Sequence, residues 1–283
     1  MNVRTLTSNG TPIPFTTDYF AELRESTLSL GGDTLRARYD EDGYVLLKGA
    51  LPSNLVLDMR EAYLSLFDRT FFKDGDARRG AYSGSMPKVP DHGIAGHPAY
   101  AFVRSRSFHS FIETPALKHI AETLFGGAAA LIRRTPLRHF VPGAKRASRA
   151  HLDRTYIDGV AADVLTIWVP LGECPVDAGG LLYLEGSHTD DVLENLRVSA
   201  PTDRADRRPI THDLKWMSDR SGRRWLYTDY VAGDVVVHGP TIVHASLDAQ
   251  RDIMRVSTDV RFRREGSPAD PRWNDDWSAD DGY

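Results

Sequence analysis

Residues 254–262 read Met254-Arg255-Val256-Ser257-Thr258-Asp259-Val260-Arg261-Phe262. Apolar and polar side chains alternate along this stretch. One face carries Met254, Val256, Val260 and Phe262, and the other carries Arg255, Ser257, Asp259 and Arg261. A period of two is typical of a β-strand that packs one face against a core, so the stretch predicts a half-buried strand.

Short β-rich runs like this one continue through most of the chain beyond residue 130. They cover residues 130–141, 164–171, 181–184, 235–238 and 242–245, with Gly- and Pro-containing turns between them. Before residue 130, helical spacing predicts helices that begin near Asp18, Ser53 and Ser105. Helices followed by many short strands predict an α+β, mainly β chain, built on an antiparallel barrel or double sheet with flanking N-terminal helices.

No repeat or linker divides the 283 residues, which predicts a single domain over residues 1–283. Residues 1–15 are polar and rich in Pro and Thr, and we expect them to form a flexible arm. The charged stretch 189–225 is interpreted as an insertion between barrel strands, and residues 75–97 as a long loop.

Composition and charge exclude several classes of protein. Lys and Arg number 35 against 39 Asp and Glu, a net charge of −4 that argues against nucleic-acid binding by bulk electrostatics. The single cysteine, Cys174, excludes an internal disulfide. No apolar run approaches the roughly 18 residues of a membrane span, and no secretion signal is visible. We therefore expect a cytoplasmic protein whose partner is a small molecule, with neither nucleic acid nor membrane involved.

Two segments carry candidate metal ligands. In His151-Leu152-Asp153, strand geometry would place the histidine and the carboxylate on one face. Farther along, an apolar run leads to His238 and then, past Gly239-Pro240, to His244. Two histidines and one carboxylate that leave coordination positions open suit non-haem iron(II). His238 competes for the third position, but we favour His244 because it starts the turn into the next strand.

Arg255 follows His244 by eleven residues, on the expected neighbouring strand of a hairpin. A guanidinium there could form a bidentate pair with a carboxylate that chelates the metal at its other end. The alternative interpretation of this polar strand face is plain solvent exposure.

Together these motifs resemble the phytanoyl-CoA dioxygenase-like (PhyH) family of iron(II)/2-oxoglutarate oxygenases. The likeness covers roughly residues 35–264, and includes the segments 168–171 and 179–188 between the candidate ligands. Bacterial members that hydroxylate small secondary metabolites are the most similar in character. The resemblance implies a double-stranded β-helix, the jelly-roll of the cupin class, and a reaction that consumes 2-oxoglutarate and dioxygen and releases succinate and CO2.

The resemblance also implies roles for individual residues. His151, Asp153 and His244 would bind iron(II), and Arg255 with Ser257 would bind 2-oxoglutarate. Three further residues would line the cosubstrate or substrate pocket: Trp168, Ser246 and Arg138. The reaction expected is hydroxylation, or another oxidation, of an unactivated carbon of a small metabolite.

Two alternatives belong to other classes. One is a cupin-type metal enzyme without redox chemistry, an isomerase or a lyase, which would not need Arg255 and Ser257. The other is an inactive small-molecule-binding jelly-roll, which would not need all three ligands. For the substrate, Arg138 with Arg104, Arg106 and several aromatic residues would suit a metabolite with an acidic or polar group.

Overall fold

The computed structural model describes residues 3–85, 95–157, 163–189 and 196–279. The α-helices are α1 (Gly32–Asp42), α2 (Ser53–Leu64), α3 (Pro98–Phe102), α4 (Arg106–Ile112), α5 (Pro115–Phe125) and α6 (Leu214–Ser221). The strands are β1 (Thr5–Ser8), β2 (Thr11–Pro14), β3 (Phe20–Glu22), β4 (Glu25–Ser26), β5 (Tyr44–Leu47), β6 (Ala129–Ile132), β7 (Leu137–Phe140), β8 (Val164–Pro170), β9 (Leu181–Leu184), β10 (Trp225–Tyr227), β11 (Val235–His238), β12 (His244–Ser246) and β13 (Arg255–Arg264).

A seven-stranded sheet forms one side of a large cavity. Its strand order is β4-β5-β11-β8-β13-β6, and β7 also pairs with β13. The expected alternation at residues 254–262 is present. The apolar residues of this stretch belong to the main core cluster, which also contains residues of α2, α4 and α5. The polar residues of the stretch instead line the cavity on the opposite face of the sheet. This polar face therefore lines a cavity and is not a plain solvated surface.

A four-stranded sheet, of order β12-β9-β10-β3, forms the second layer. A second apolar cluster that includes Leu182, Leu184 and Trp225 packs behind it. The expected α+β, mainly β double-sheet fold with N-terminal helices is confirmed. Within the described residues, however, the strands form separate sheets, with isolated bridges such as that of Ala178 with Ala249 outside them, and no closed barrel.

Several local expectations need correction. Residues 5–14, expected within a flexible arm, form the β1–β2 hairpin, because Leu6 and Ile13 are each buried to 1% exposure in the second core cluster. The short helix expected from Asp18 is replaced by β3 and β4, which pair with β10 and β5. The helix expected from Ser105 is divided into α4 and α5, since Pro115 cannot continue the preceding helix and starts a new one.

The interpretation of residues 189–225 as an insertion remains a prediction, and residues 190–195 lie outside the described residues. The remainder contains α6. Trp225 belongs to β10, is fully buried, and donates from its indole N–H to the Leu214 carbonyl, 2.9 Å away. Of the helices that the structure describes, none is both long enough and apolar enough to cross a membrane.

Candidate functional site

The three expected metal ligands meet at one end of the smaller sheet. His151 and His244 exchange two backbone hydrogen bonds of 3.0 Å, so the chain segments that carry them are locked side by side. Between the first two ligands, Leu152 is extended (φ −115°, ψ 134°) and buried, and Asp153 then starts a 3₁₀ turn. The pair therefore shares one face, although His151 lies on an isolated bridge and Asp153 in the 3₁₀ turn, and neither lies on the regular strand that we expected.

Candidate ligand atoms from these three residues all lie within 4.8 Å of one another. The Asp153 Oδ1 atom is 3.6 Å from His244 Nε2 and 3.9 Å from His151 Nε2. The Nδ1 atom of each ring faces a backbone carbonyl, that of Arg149 at 2.6 Å for His151 and that of Ile242 at 3.1 Å for His244. A hydrogen on each Nδ1 atom would satisfy those carbonyls. Both Nε2 lone pairs would then be available, on the side of Asp153, to bind a metal ion.

Electrostatics favour the metal-binding protonation state. Burial lowers the pKa of His151, and burial together with the neighbouring His151 and His238 lowers that of His244 well below its ordinary value. Burial acts to raise the pKa of Asp153, but Arg261 and the imidazoles outweigh it and hold that pKa well below its usual range. Neutral imidazoles beside an ionised carboxylate are the forms that bind a metal cation.

His238, the competing ligand, is near Asp153 but is held differently. Its Nδ1 atom lies 2.9 Å from the Tyr183 hydroxyl, and its Nε2 atom lies 3.7 Å from Asp153 Oδ2, the oxygen turned away from the other two histidines. The cluster of candidate ligands contains His244 and not His238. This geometry supports the preference for His244.

Arg255 is buried in the same cavity, with 3% of its surface exposed. Its guanidinium lies 4.1 Å from the centre of the Phe140 ring and 5.4 Å from that of Trp168. The Arg255 Nε and Nη1 atoms and the Ser246 Oγ atom are buried without a hydrogen-bond partner among the described residues. Buried donors without partners are costly and rare, so these atoms point to a missing anionic ligand. A carboxylate of 2-oxoglutarate fits this donor set.

The neighbouring Cys174 does not neutralise Arg255. Burial raises the pKa of the Cys174 thiol to about 11, and Arg255 only partly opposes this effect. Cys174 is therefore a neutral thiol at pH 7, which leaves the charge of Arg255 available to a ligand.

A cavity of about 1020 Å³ joins the candidate metal site to the surface. It brings together every site residue expected from the sequence, namely His151, Asp153, His244, Arg255, Ser257, Trp168, Ser246 and Arg138. The roles assigned to these residues remain predictions. Arg104 and Arg106, suggested for the substrate, are not among the lining residues, and Arg104 instead donates to the Tyr100 carbonyl within its own helical segment.

The segments expected to shape the substrate pocket contribute unequally. The 189–225 stretch supplies five lining residues, all between Asp203 and Pro209, and the C-terminal segment supplies Arg272, Trp273 and Trp277. From the 75–97 loop, His97 lines the cavity, while residues 86–94 lie outside the described residues. Trp277 has 1% of its surface exposed and packs 4.6 Å from the Tyr100 ring, so it forms part of the wall.

Sequence reasoning missed Thr166 and Arg261, which both contact Asp153 Oδ2. A signal for them existed: Thr166 shares the strand face of Trp168, and Arg261 shares that of Arg255. It also missed the buried pair His97 and His139, whose rings stack 5.3 Å apart on the cavity wall. No local pattern marks that pair, because the two residues come from distant segments.

Residues 39–256 match the sequence pattern of the family described as "Phytanoyl-CoA dioxygenase (PhyH)". The chain belongs to this family. The expectation drawn from the sequence is thus confirmed, and the matched PhyH region includes both histidines and the carboxylate of the candidate site.

Two similar PhyH relatives are named 1-deoxypentalenic acid 11-beta-hydroxylase. The Streptomyces arenae protein is 24% identical over 263 residues, which cover 89% of this chain and 88% of the relative. The Streptomyces exfoliatus protein is 24% identical over 240 residues, which cover 81% and 80%.

Solved structures share the fold at low sequence identity. The non-haem, α-ketoglutarate-dependent carbocyclase SnoK from nogalamycin biosynthesis superimposes with a TM-score of 0.57 at 21% identity, covering 86% of this chain and 87% of its own. The epimerase SnoN of the same biosynthesis gives 0.56 at 22% identity, covering 85% and 92%, and was also solved with Fe3+ and α-ketoglutarate.

Proposed function

We propose that this PhyH protein is an iron(II)- and 2-oxoglutarate-dependent dioxygenase that hydroxylates, or otherwise oxidises, an unactivated carbon of a small metabolite. His151, Asp153 and His244 would bind the iron, and Arg255 would bind the distal carboxylate of 2-oxoglutarate. One observation carries the proposal: the three candidate ligands and the unpartnered donors of Arg255 open into one buried cavity. Membership of the family supports the same chemistry.

The residues around the proposed 2-oxoglutarate site would have distinct roles. When bound, iron(II) and 2-oxoglutarate supply the activation of dioxygen, with release of succinate and CO2. Arg255, sandwiched near Phe140 and Trp168, orients the cosubstrate by donating to its carboxylate. The Ser246 hydroxyl offers a further donor, and Ser257 lies on the same face of β13 as Arg255. Burial of this end of the cavity excludes bulk water from the reacting groups.

The charge of the cavity supports a substrate that carries an anionic group. Its lining contains ten Arg and Lys side chains but only four Asp side chains. Each of those four carboxylates is paired with an arginine of the same lining, as in the bond of Arg149 to Asp203, so the excess of positive charge remains. Ile132 and Trp273 add apolar surface. A small molecule with an apolar body and a carboxylate or phosphate fits this lining, and the similar relatives are named for action on an acid.

Matched pairs of compounds test the substrate class. Carboxylic acids and organic phosphates would be compared with the corresponding primary amides and alcohols, with stimulated succinate formation as the readout. We expect the carboxylic acids or the phosphates to stimulate succinate formation at least about 10-fold more than the matched neutral compounds. This stimulation should fall as the salt concentration is raised. If neither the carboxylic acids nor the phosphates stimulate succinate formation more than their neutral partners, the proposal of an anionic substrate is wrong.

Arg204, at the exposed rim of the cavity, provides a variant for the same screen. Arg204→Gln should weaken the response to the anionic compounds without changing the affinity for 2-oxoglutarate. Arg220→Gln is the matched control, because Arg220 packs over Trp216 and does not line the cavity.

Anaerobic titration tests the metal and cosubstrate assignments. Protein mixed with iron(II) and 2-oxoglutarate should develop the weak visible charge-transfer band of a chelated 2-oxo acid. Substitution of His151, Asp153 or His244 with Ala should abolish this band. A band that survives His244→Ala but disappears in His238→Ala would move the third ligand to His238. Metal binding with no response to 2-oxoglutarate would favour the non-redox cupin alternative.

A further inference from the structure

The two oxygens of the Asp153 carboxylate have different surroundings. Oδ1 faces His244 Nε2 at 3.6 Å and His151 Nε2 at 3.9 Å. Oδ2 accepts a hydrogen bond from the Thr166 hydroxyl at 2.8 Å and another from Arg261 Nη2 at 3.2 Å. His238 Nε2 approaches the same oxygen to 3.7 Å. One oxygen is thus directed to the candidate metal ligands and the other to the sheet.

The three groups around Oδ2 come from three adjacent strands at one register. Thr166 of β8 lies directly opposite His238 of β11 on one side and opposite Arg261 of β13 on the other. Neighbouring strands are about 4.8 Å apart, so the three side chains form a row across the sheet on its cavity face. Arg261 Nε is also 3.3 Å from the Thr166 hydroxyl, which ties two members of the row together.

Tyr183 sets the orientation of His238 in this row. Its hydroxyl lies 2.9 Å from His238 Nδ1, and both residues are buried. Because Nε2 faces a carboxylate oxygen, the favourable tautomer carries the hydrogen on Nε2, and the Tyr183 hydroxyl then donates to Nδ1. In this form His238 directs its Nε2–H toward Asp153 Oδ2, although 3.7 Å is longer than a hydrogen bond and Nε2 has no hydrogen-bond partner among the described residues.

We propose that His238, Thr166 and Arg261 are positioning residues that hold Oδ2 of Asp153 and so reserve Oδ1 for the metal. This inference rests on the proposed function, since it takes Asp153 as a metal ligand. The positioning row also supplies one full positive charge, on Arg261, beside a carboxylate that has 3% of its surface exposed. Groups that orient a metal ligand in this way typically change metal affinity 10- to 100-fold when they are removed.

Cobalt(II) binding to the otherwise intact protein tests the positioning row, because the visible spectrum of cobalt(II) reports the coordination number and geometry. We expect Thr166→Val and Arg261→Met to weaken cobalt(II) binding about 10- to 100-fold and to alter its spectrum. Thr166→Ser, which retains the hydroxyl, should restore both properties. His238→Gln should produce a smaller change of the same kind, since 3.7 Å is a long contact.

Thr258→Val is the matched control. Thr258 is a buried threonine of β13 whose hydroxyl donates to the Pro136 carbonyl at 2.8 Å, and it does not line the cavity. Its loss should lower the melting temperature of the metal-free protein without changing the cobalt(II) affinity or spectrum. If Thr166→Val changes cobalt(II) binding no more than Thr258→Val does, Thr166 is only structural and the inference is wrong.

Asp153→Ala separates this inference from the proposed function. If Asp153→Ala loses cobalt(II) but Thr166→Val and Arg261→Met bind it with the affinity and spectrum of the unmodified protein, the positioning row is refuted while the ligand assignment stands. If Asp153→Ala itself binds cobalt(II) normally, the ligand assignment fails, and the positioning role fails with it.

Discussion

Replacing Arg255 with Met should separate cosubstrate binding from folding. The substitution keeps most of the aliphatic length between Phe140 and Trp168 but removes the guanidinium. Arg255 has two buried donor atoms, Nε and Nη1, with no partner among the described residues. A hydrogen bond to a charged group contributes about 1.5–3 kcal/mol. Loss of even one such bond to 2-oxoglutarate therefore predicts an affinity about 10- to 150-fold lower.

The stability of the ligand-free protein should respond differently. An unpartnered buried donor costs roughly 1–3 kcal/mol, so Met at position 255 removes a penalty as well as the stacking of the cation on Phe140. We therefore expect the melting temperature of the ligand-free Arg255→Met protein to remain equal to, or to exceed, that of the unmodified protein. Iron(II) affinity should also be unchanged, since Arg255 is not among the candidate ligands.

Titrations that follow the charge-transfer band provide the assay. Apparent affinities for 2-oxoglutarate and for 2-oxobutanoate, which lacks the distal carboxylate, would be measured with both proteins. The unmodified protein should prefer 2-oxoglutarate strongly, and Arg255→Met should lose most of that preference. Arg78→Met, a change at a surface arginine paired with Asp58 and Glu61, controls for the loss of a cation. An unchanged preference in Arg255→Met would refute the anchoring role.

Three further predictions follow from burial and hydrogen bonding. Ser246→Ala removes one unpartnered hydroxyl from the cavity and should lower 2-oxoglutarate affinity by about 0.5–1.5 kcal/mol, a few-fold, in the same assay. Leu6→Ala should lower the free energy of unfolding by about 2–5 kcal/mol in urea titrations, whereas a flexible arm would show almost no change. Burial, with a smaller effect of His97, lowers the pKa of His139 to about 3, against about 6.5 when unfolded. The unfolded chain thus binds the extra proton, so stability falls as the pH drops from about 6.5 toward 3, and His139→Gln should lose less stability between pH 7 and pH 5 than the unmodified protein.

The strand patterns made most of the larger sheet predictable. Alternation over residues 254–262 correctly separated the core face of β13 from the face that lines the cavity. The runs at residues 164–171 and 235–238 became β8 and β11 with nearly the expected bounds. These strands were readable because burial on one or both faces leaves a local hydrophobic signature.

Segments stabilised by distant partners were not predictable in the same way. Residues 20–26 form two short strands only because β10 and β5 supply their hydrogen-bond partners. The hairpin at residues 5–14 is polar overall, and its two buried apolar side chains are Leu6 and Ile13. A short window of sequence contains neither the partner strands nor the second core cluster. Prediction from local propensity was therefore wrong for both segments.

The sequence alone determined the types of residue available for the chemistry and the strand faces on which many of them lie. His151 and Asp153 were candidates because residues i and i+2 of a strand share a face, His244 because a buried imidazole requires a ligand or a partner, and Arg255 because it was expected on the neighbouring strand. Only the tertiary structure decided which groups meet. Strand register aligns His238, Thr166 and Arg261 in one row beside one oxygen of Asp153, which is the arrangement on which the proposed positioning role rests. Register is a long-range property, set by the packing of all the strands together, and so it cannot be read from any one strand.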